Sequence, residues 1–309
     1  MNPILSRLCL LLPALLWSTS PGAAEHALQR QANAALALMT FTVTPDITAS
    51  NLNIQDQSAG TSSLLMTQLG GGATWSADLP LYLEGNLGFS RYDPRFLLED
   101  GDESITIPAR WNTLSATGGI GWDFPLQPEL VLRPIANLTL GTMASDLRVA
   151  DWLWEREQES ETSFLDSGRL NAIGYGASLM LDYEHFSPAQ DLDAELRFSY
   201  IHLQSLGGTD NPISGQANAE NLSLYLRRRA PTGLLLFERP LRYVLEGAHT
   251  QYLGSQRGLL GFDALTSLGA GVELDLSRFD LLVSRVRLVG RYMFGRNTDG
   301  YSIGLAASF

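Results

Sequence analysis

The chain has no lysine, one cysteine and four histidines in 309 residues, and each scarcity removes a class of chemistry. All 21 basic residues are arginines, outnumbered by 33 acidic ones for a net charge of −12. An acidic chain whose only basic run is Arg227, Arg228 and Arg229 is a poor ligand for nucleic acid. On a strand those three arginines would also alternate faces, so the run is not one patch. Cys9 stands alone, which excludes a disulfide framework. His26, His202 and His249 have no partners at metal-ligand spacing, and no metal or cofactor is expected. No apolar stretch reaches 18 residues, which excludes a transmembrane helix.

What is present begins with an export signal. Arg7 gives a positive start, Leu8 to Trp17 a ten-residue apolar run, and Gly22, Ala23 and Ala24 small residues for cleavage. The run is half the roughly 20 residues of a spanning helix. Residues 1–24 are therefore expected to be removed, leaving 309 − 24 = 285. Cys9 lies inside the removed piece, so no lipid-modified N-terminus is expected.

The remainder alternates with a period of two. Leu192, Ala194, Leu196, Phe198 and Tyr200 share one strand face; Asp193, Glu195, Arg197 and Ser199 share the other. Leu268, Ala270, Val272, Leu274 and Leu276 oppose Gly269, Gly271, Glu273, Asp275 and Ser277 in the same way. About twelve such segments are read, near 40–55, 61–76, 80–92, 110–124, 129–143, 168–184, 191–205, 218–230, 239–252, 263–276, 281–294 and 299–309. Within 239–252 the apolar face is ambiguous, because Val244 and Leu245 compete for it. Each segment is long enough to cross a bilayer, which takes about 9–11 residues. Connections after the even-numbered segments are short and those after the odd-numbered ones mostly long and polar, as in membrane barrels with short periplasmic turns. The fold class expected is all-β: a transmembrane, antiparallel, up-and-down barrel of about 12 strands, residues 40–309, in the outer membrane of a Gram-negative cell.

An arginine on the lipid side costs roughly 2–4 kcal/mol at the midplane, so the charged faces must look inward. The lumen is expected to hold Glu84, Asp123, Arg133, Asp182, Glu184, Asp193, Glu195, Arg197, Arg227, Arg229, Glu273, Asp275, Arg285, Arg287 and Arg291. Glu273 and Asp275 neighbour the strand bearing Arg285, Arg287 and Arg291, which favours cross-strand ion pairs. Such a ladder either stiffens the barrel or lines a selective pore. Trp75, Trp122, Tyr183 and Tyr292 fall near strand ends, where aromatic girdles sit. Upstream, Leu28, Ala32, Ala35, Leu36 and Met39 recur at spacings of three and four, so 25–39 reads as one short amphipathic helix. It would either plug the lumen or lie at its periplasmic mouth.

Tyr301, Ile303, Leu305, Ala307 and Phe309 share one face of a final strand that ends on an aromatic. This resembles the C-terminal signature read by the bacterial barrel-assembly machinery. With the helix and twelve strands it also resembles the autotransporter translocator domain, and more closely the solitary autotransporter-like outer-membrane β-barrel family, which lacks a passenger. That resemblance covers the mature chain and implies outer-membrane residence, a pore holding a helix, and a structural or translocator role. Outer-membrane lipid, lipopolysaccharide, the assembly machinery and periplasmic chaperones are the partners implied, with the barrel itself a monomer. Two other functions compete. Trp152 and Trp154 alternate with Glu155, Glu157, Glu159 and Glu161 in a long outer loop that would suit adhesion or ligand binding. His185, Phe186 and Ser187 have the His-x-Ser spacing of outer-membrane phospholipases, but Pro188 follows and the triplet falls in a periplasmic turn, so no enzyme is expected.

Overall fold

The computed structural model describes residues 21–44, 51–56, 60–93, 96–100, 103–107, 110–145, 169–206, 215–276 and 285–308. One helix, α1 (Pro21–Val43), precedes β1 (Asn51–Asp56), β2 (Gly60–Thr74), β3 (Leu81–Asp93), β4 (Phe96–Asp100), β5 (Glu103–Ile107), β6 (Trp111–Trp122), β7 (Phe124–Gln127) and β8 (Leu130–Ser145). Then come β9 (Arg169–Phe186), β10 (Asp191–Ser205), β11 (Gln216–Leu236), β12 (Arg239–Tyr252), β13 (Ala264–Asp275), β14 (Arg285–Gly295) and β15 (Thr298–Ser308).

Every pairing is antiparallel, and the chain of neighbours returns to its start. From β1 it runs through β2, β3, β6, β8 and on through β9 to β15, which pairs back with β1. Twelve strands thus form a closed ring with no free edge along most of its height. β4 and β5 form a separate hairpin on the long connection after β3, and β7 continues the line of β6 against β8.

The alternation read from the sequence places the two faces. In one cross-strand row Leu179, Phe198 and Leu222 stand side by side, all exposed on the outer wall. The next row, Ser178, Ser199 and Asn221, is buried inside. Outward leucines, isoleucines and aromatics recur around the ring, with Trp75, Trp122 and Tyr292 among them. A band of this kind is stable only against acyl chains. Among the described residues no helix is long and apolar enough to cross a membrane, which says nothing of a barrel.

Three boundaries differ by several residues from the reading of the sequence, the first being the helix start, at Pro21 rather than 25. The helix does not stop at Met39 but runs to Val43, taking the start of the expected first strand. The Thr40 hydroxyl donates back to Ala37 O at 2.5 Å and that of Thr42 to Met39 O at 2.9 Å, so these β-branched residues satisfy their own polar groups within helical geometry. Pro45 then disfavours helix at the residue before it. The third difference is β11, which extends six residues past the expected end at 230.

Candidate functional site

The lumen changes character with depth, and α1 accounts for most of the change. Midway along it, at the start of β11, Gln216 N donates to Asn33 Oδ1 at 2.8 Å. From there the helix descends into the barrel, and residues 39–44 are all buried.

The upper lumen is apolar. Leu36, Met39 and Val43 pack with Met143, Leu170, Ile201 and Leu203 on one side. On the other, Phe41 meets Leu64, Met66, Tyr252, Leu260 and Phe262, with ring centroids 5.2 Å from Tyr252 and 6.0 Å from Phe262. Leu260 and Phe262 belong to the connection 253–263, which folds inward over the helix. Gln256 in it is wholly buried and donates to Glu220 O at 3.3 Å. Each large apolar side chain buried this way contributes roughly 1.5–3 kcal/mol. Inward glycines make room: a Cβ at Gly141 would lie 2.4 Å from Met39 Sδ, and one at Gly88 2.4 Å from Thr42 O.

At mid-depth the helix ends on a polar ring. The last carbonyls of a helix lack partners in the next turn; three strands supply them and a fourth holds the Thr44 hydroxyl. Asn86 Nδ2 and Ser115 Oγ both donate to Thr42 O at 3.0 Å, and Thr117 Oγ1 donates to Val43 O at 2.7 Å. Gln68 Nε2 reaches Phe41 O at 3.2 Å and Thr44 O at 3.3 Å, while Asn221 Nδ2 donates to Thr44 Oγ1 at 2.8 Å.

Below this ring the lumen is ionic. Arg197 of β10 clasps Glu84 of β3 through two hydrogen bonds of 2.8 and 2.6 Å, a strut between strands that are not neighbours. Asn137 also donates to Glu84 at 2.9 Å, and Ser178 to Asn137 Oδ1 at 2.8 Å. Arg133 sits between Asp123 and Asp182, with its guanidinium 4.0 Å from the Tyr82 ring centroid. Nearer the short-turn rim, Arg229 reaches Glu273 at 3.3 Å and Asp193 at 3.4 Å, and Arg227 meets Asp193 at 2.9 Å. Arg291 and Glu246 pair at 2.6 Å, and Arg242 and Asp191 at 2.7 Å.

The residues singled out from the sequence for the lumen lie on inward positions, and their ion pairs include both the adjacent-strand pairs expected and longer reaches. Arg287 lies 3.7 Å from Glu273 across one strand pair, whereas Arg291 reaches past β13 to Glu246 and Arg285 lies 3.6 Å from Asp191. Asp275 faces Arg285 in register, and Glu195 faces Asp182. Three charged lumen residues were missed by the sequence reading, Asp191, Arg242 and Glu246, as were Gln68, Ser115, Thr117 and Asn221 of the polar ring. Val244 is wholly buried on the inner face beside Glu246. The Glu246 carboxylate two positions on was the signal that could have settled which face points inward.

The remaining candidates fall outside this lumen. Tyr301, Ile303 and Leu305 are exposed on the outer wall of β15; Phe309 lies outside the described residues, as do Trp152, Trp154, Glu155 and Glu157. His185 and Ser187 do not meet. The His185 ring is 2.7 Å from Glu129 Oε1, a contact that holds the Glu129 carboxyl below the usual carboxylate range. Ser187 Oγ donates to Gln190 O at 2.7 Å and accepts from Gln190 N at 3.1 Å, which closes the turn. Among the described residues no group of histidine, cysteine, aspartate or glutamate has the arrangement of a metal site.

Residues 40–146 match the family model described as the autotransporter beta-domain. No curated protein matches. Among solved structures, the beta domain of the Bordetella autotransporter BrkA is similar at 17% identity, covering 84% of this chain and 96% of that one with a TM-score of 0.46. The transport unit of AIDA-I from Escherichia coli gives 13% identity, 90% and 99% coverage and a TM-score of 0.46. The translocator domain of NalP from Neisseria meningitidis gives 12%, 93% and 97%, with a TM-score of 0.39. The closed twelve-strand ring and the match over residues 40–146 agree on a β-barrel similar to the autotransporter beta-domain.

Proposed function

We propose that this chain is a translocator-type pore of the Gram-negative outer membrane, held shut by its own N-terminal helix. The observation that carries the reading is the fit of α1. Apolar side chains grip its upper part, and Gln68, Asn86, Ser115, Thr117 and Asn221 hold its lower end. A helix resting at a mouth would have no reason for polar partners on four strands at mid-depth. In this reading residues 1–24 are cleaved on export and the short turns face the periplasm. Lipopolysaccharide surrounds the long connections, and the assembly machinery and periplasmic chaperones deliver a monomer through its last strand. Ser187 and His185 serve a turn, which supports a barrel without enzymatic activity; Ser187→Ala should leave lipid hydrolysis at background, and a Ser187-dependent hydrolysis would restore the enzyme reading.

Planar-bilayer conductance tests the proposal. The processed chain should be silent or nearly so, and the same chain lacking 25–44, which removes the latched end of the helix with the rest, should conduct steadily. A full-length form as conductive as the deletion would refute a resident plug. Because deletion can impair folding, a second variant carrying Ser115→Ala and Thr117→Ala keeps the helix but removes hydrogen bonds to its carbonyls. That variant should flicker open more often than its parent, and unchanged silence would count against the polar ring as the latch.

A further inference from the structure

The charges of the ionic lumen do not cancel. Every arginine described there has a carboxylate oxygen within 4.0 Å, from Arg197 on Glu84 at 2.6 Å to Arg287 on Glu273 at 3.7 Å. The reverse does not hold. Among the described residues, Glu184 of β9 and Glu195 of β10 have neither a hydrogen bond nor an arginine nitrogen within that distance. Glu195 is half-buried and Glu184 is exposed, both on inward positions of their strands.

The register explains why these two are left over. Glu184 lies opposite Asp193 and Glu195 opposite Asp182, so four carboxylates form two adjacent like-charged rows. Like charges directly opposite on neighbouring strands destabilise a sheet. The arginines that reach this block are already engaged. Arg133 holds Asp182 and Asp123, while Arg227 and Arg229 hold Asp193, and Arg229 also reaches Glu273. One carboxylate in each row is therefore bare. A wall built only for stiffness would be at least as stable with an uncharged side chain at both positions.

The two glutamates also lie on the path of an ion. Asn221 of the polar ring pairs with Ser199, which puts Glu195 two inward positions below the ring on β10. Glu184 is one inward step nearer the short-turn rim. An ion entering from that side passes both before it meets the end of α1.

We propose that the lumen, when open, passes cations in preference to anions, and that Glu184 and Glu195 set this preference. The inference rests on the pore reading and adds to it the sign of the ions conducted. Each described lumen arginine carries its own counter-charge, so its attraction for an anion is cancelled locally, whereas the two glutamates keep theirs for a cation. Exposed carboxylates lining the path are how cation channels select. At 0.1 M salt their field persists over about 10 Å, so it acts on ions beyond direct contact.

The test uses the full-length processed chain with Ser115→Ala and Thr117→Ala. Its openings are recorded in a planar bilayer under a potassium chloride gradient at a pH of about 8, above the ordinary carboxylate range. Reversal potentials should show potassium at least about threefold more permeant than chloride, and adding Glu184→Gln with Glu195→Gln should bring the ratio below about 1.5. Asp78→Asn with Glu238→Gln removes the same charge from two exposed short turns and should leave the ratio unchanged. A ratio at or below unity in the parent would overturn the selectivity alone, as would a ratio that survives the lumen variant or falls equally in the turn variant. Absence of openings would overturn the pore reading and the selectivity with it. Urea unfolding of the full-length chain in vesicles needs no opening. Glu195→Gln should be at least as stable as its parent, whereas Asp193→Asn, which breaks ion pairs, should lose stability. Equal losses in the two variants would mean that Glu195 is paired, and would overturn the proposal.

Discussion

The Glu84–Arg197 strut offers the sharpest energetic test of the ionic lumen. Both side chains are almost fully enclosed, at 6% and 8% exposure, so the pair is not comparable to a surface ion pair worth 0–1 kcal/mol. Glu84→Ala leaves the Arg197 guanidinium buried with only the hydroxyls of Ser178 and Ser199 as hydrogen-bond partners. Removing one member of such a pair costs about 3–5 kcal/mol, whereas replacing both by apolar side chains of similar volume is often neutral. Glu84→Ala is therefore expected to destabilise by about that amount, and the double variant Glu84→Leu with Arg197→Met to recover most of the loss. Urea unfolding and refolding in phospholipid vesicles, followed by tryptophan fluorescence, measures both. A single-variant cost below about 1 kcal/mol, or a double variant as unstable as the two singles combined, would refute the strut.

Three further outcomes follow from the same geometry. Gly141→Val pushes against Met39 Sδ and Gly88→Val against the Thr42 carbonyl, so both should raise bilayer conductance. Gly88→Val should have the larger effect, because a backbone carbonyl cannot swing aside as a methionine tip does. Equal silence of both variants would contradict the helix position. Leu138→Arg, at a wall position 57% exposed, should cost about 2–4 kcal/mol of stability in vesicles, and a neutral result would argue against lipid contact there.

Much of this architecture was legible because lipid enforces a rule at every second residue. Once Leu196, Phe198 and Tyr200 were assigned to one face, Arg197 and Ser199 had no alternative to the lumen. The same rule could not resolve 239–252, where Val244 is an apolar residue packed inside. Apolar side chains in the upper lumen contact α1 rather than lipid, so polarity alone misjudges them. The helix end was hidden for a related reason. Thr40, Thr42 and Val43 carry β-branched side chains that suit strands, and only tertiary enclosure with carbonyl partners keeps them helical. The long-range choice of partners was not legible either, since Glu84 and Arg197 are 113 residues apart and meet only across the closed ring. In β11, Leu234, Leu235 and Leu236 read as a turn because the segment lacks alternation, and their projection depends on where β10 and β13 stop.

The division between wall and lumen turns on which side each residue of a strand faces, and a spin-label scan along β8 measures that directly. In vesicles, labels at positions 132, 134, 136, 138 and 140 should be accessible to membrane-dissolved oxygen. Those at 133, 135, 137 and 139 should be shielded from it by the barrel and its filled lumen. An accessibility profile without that two-residue period, or with its phase inverted, would contradict the structure's division into a lipid-facing wall and an occupied interior.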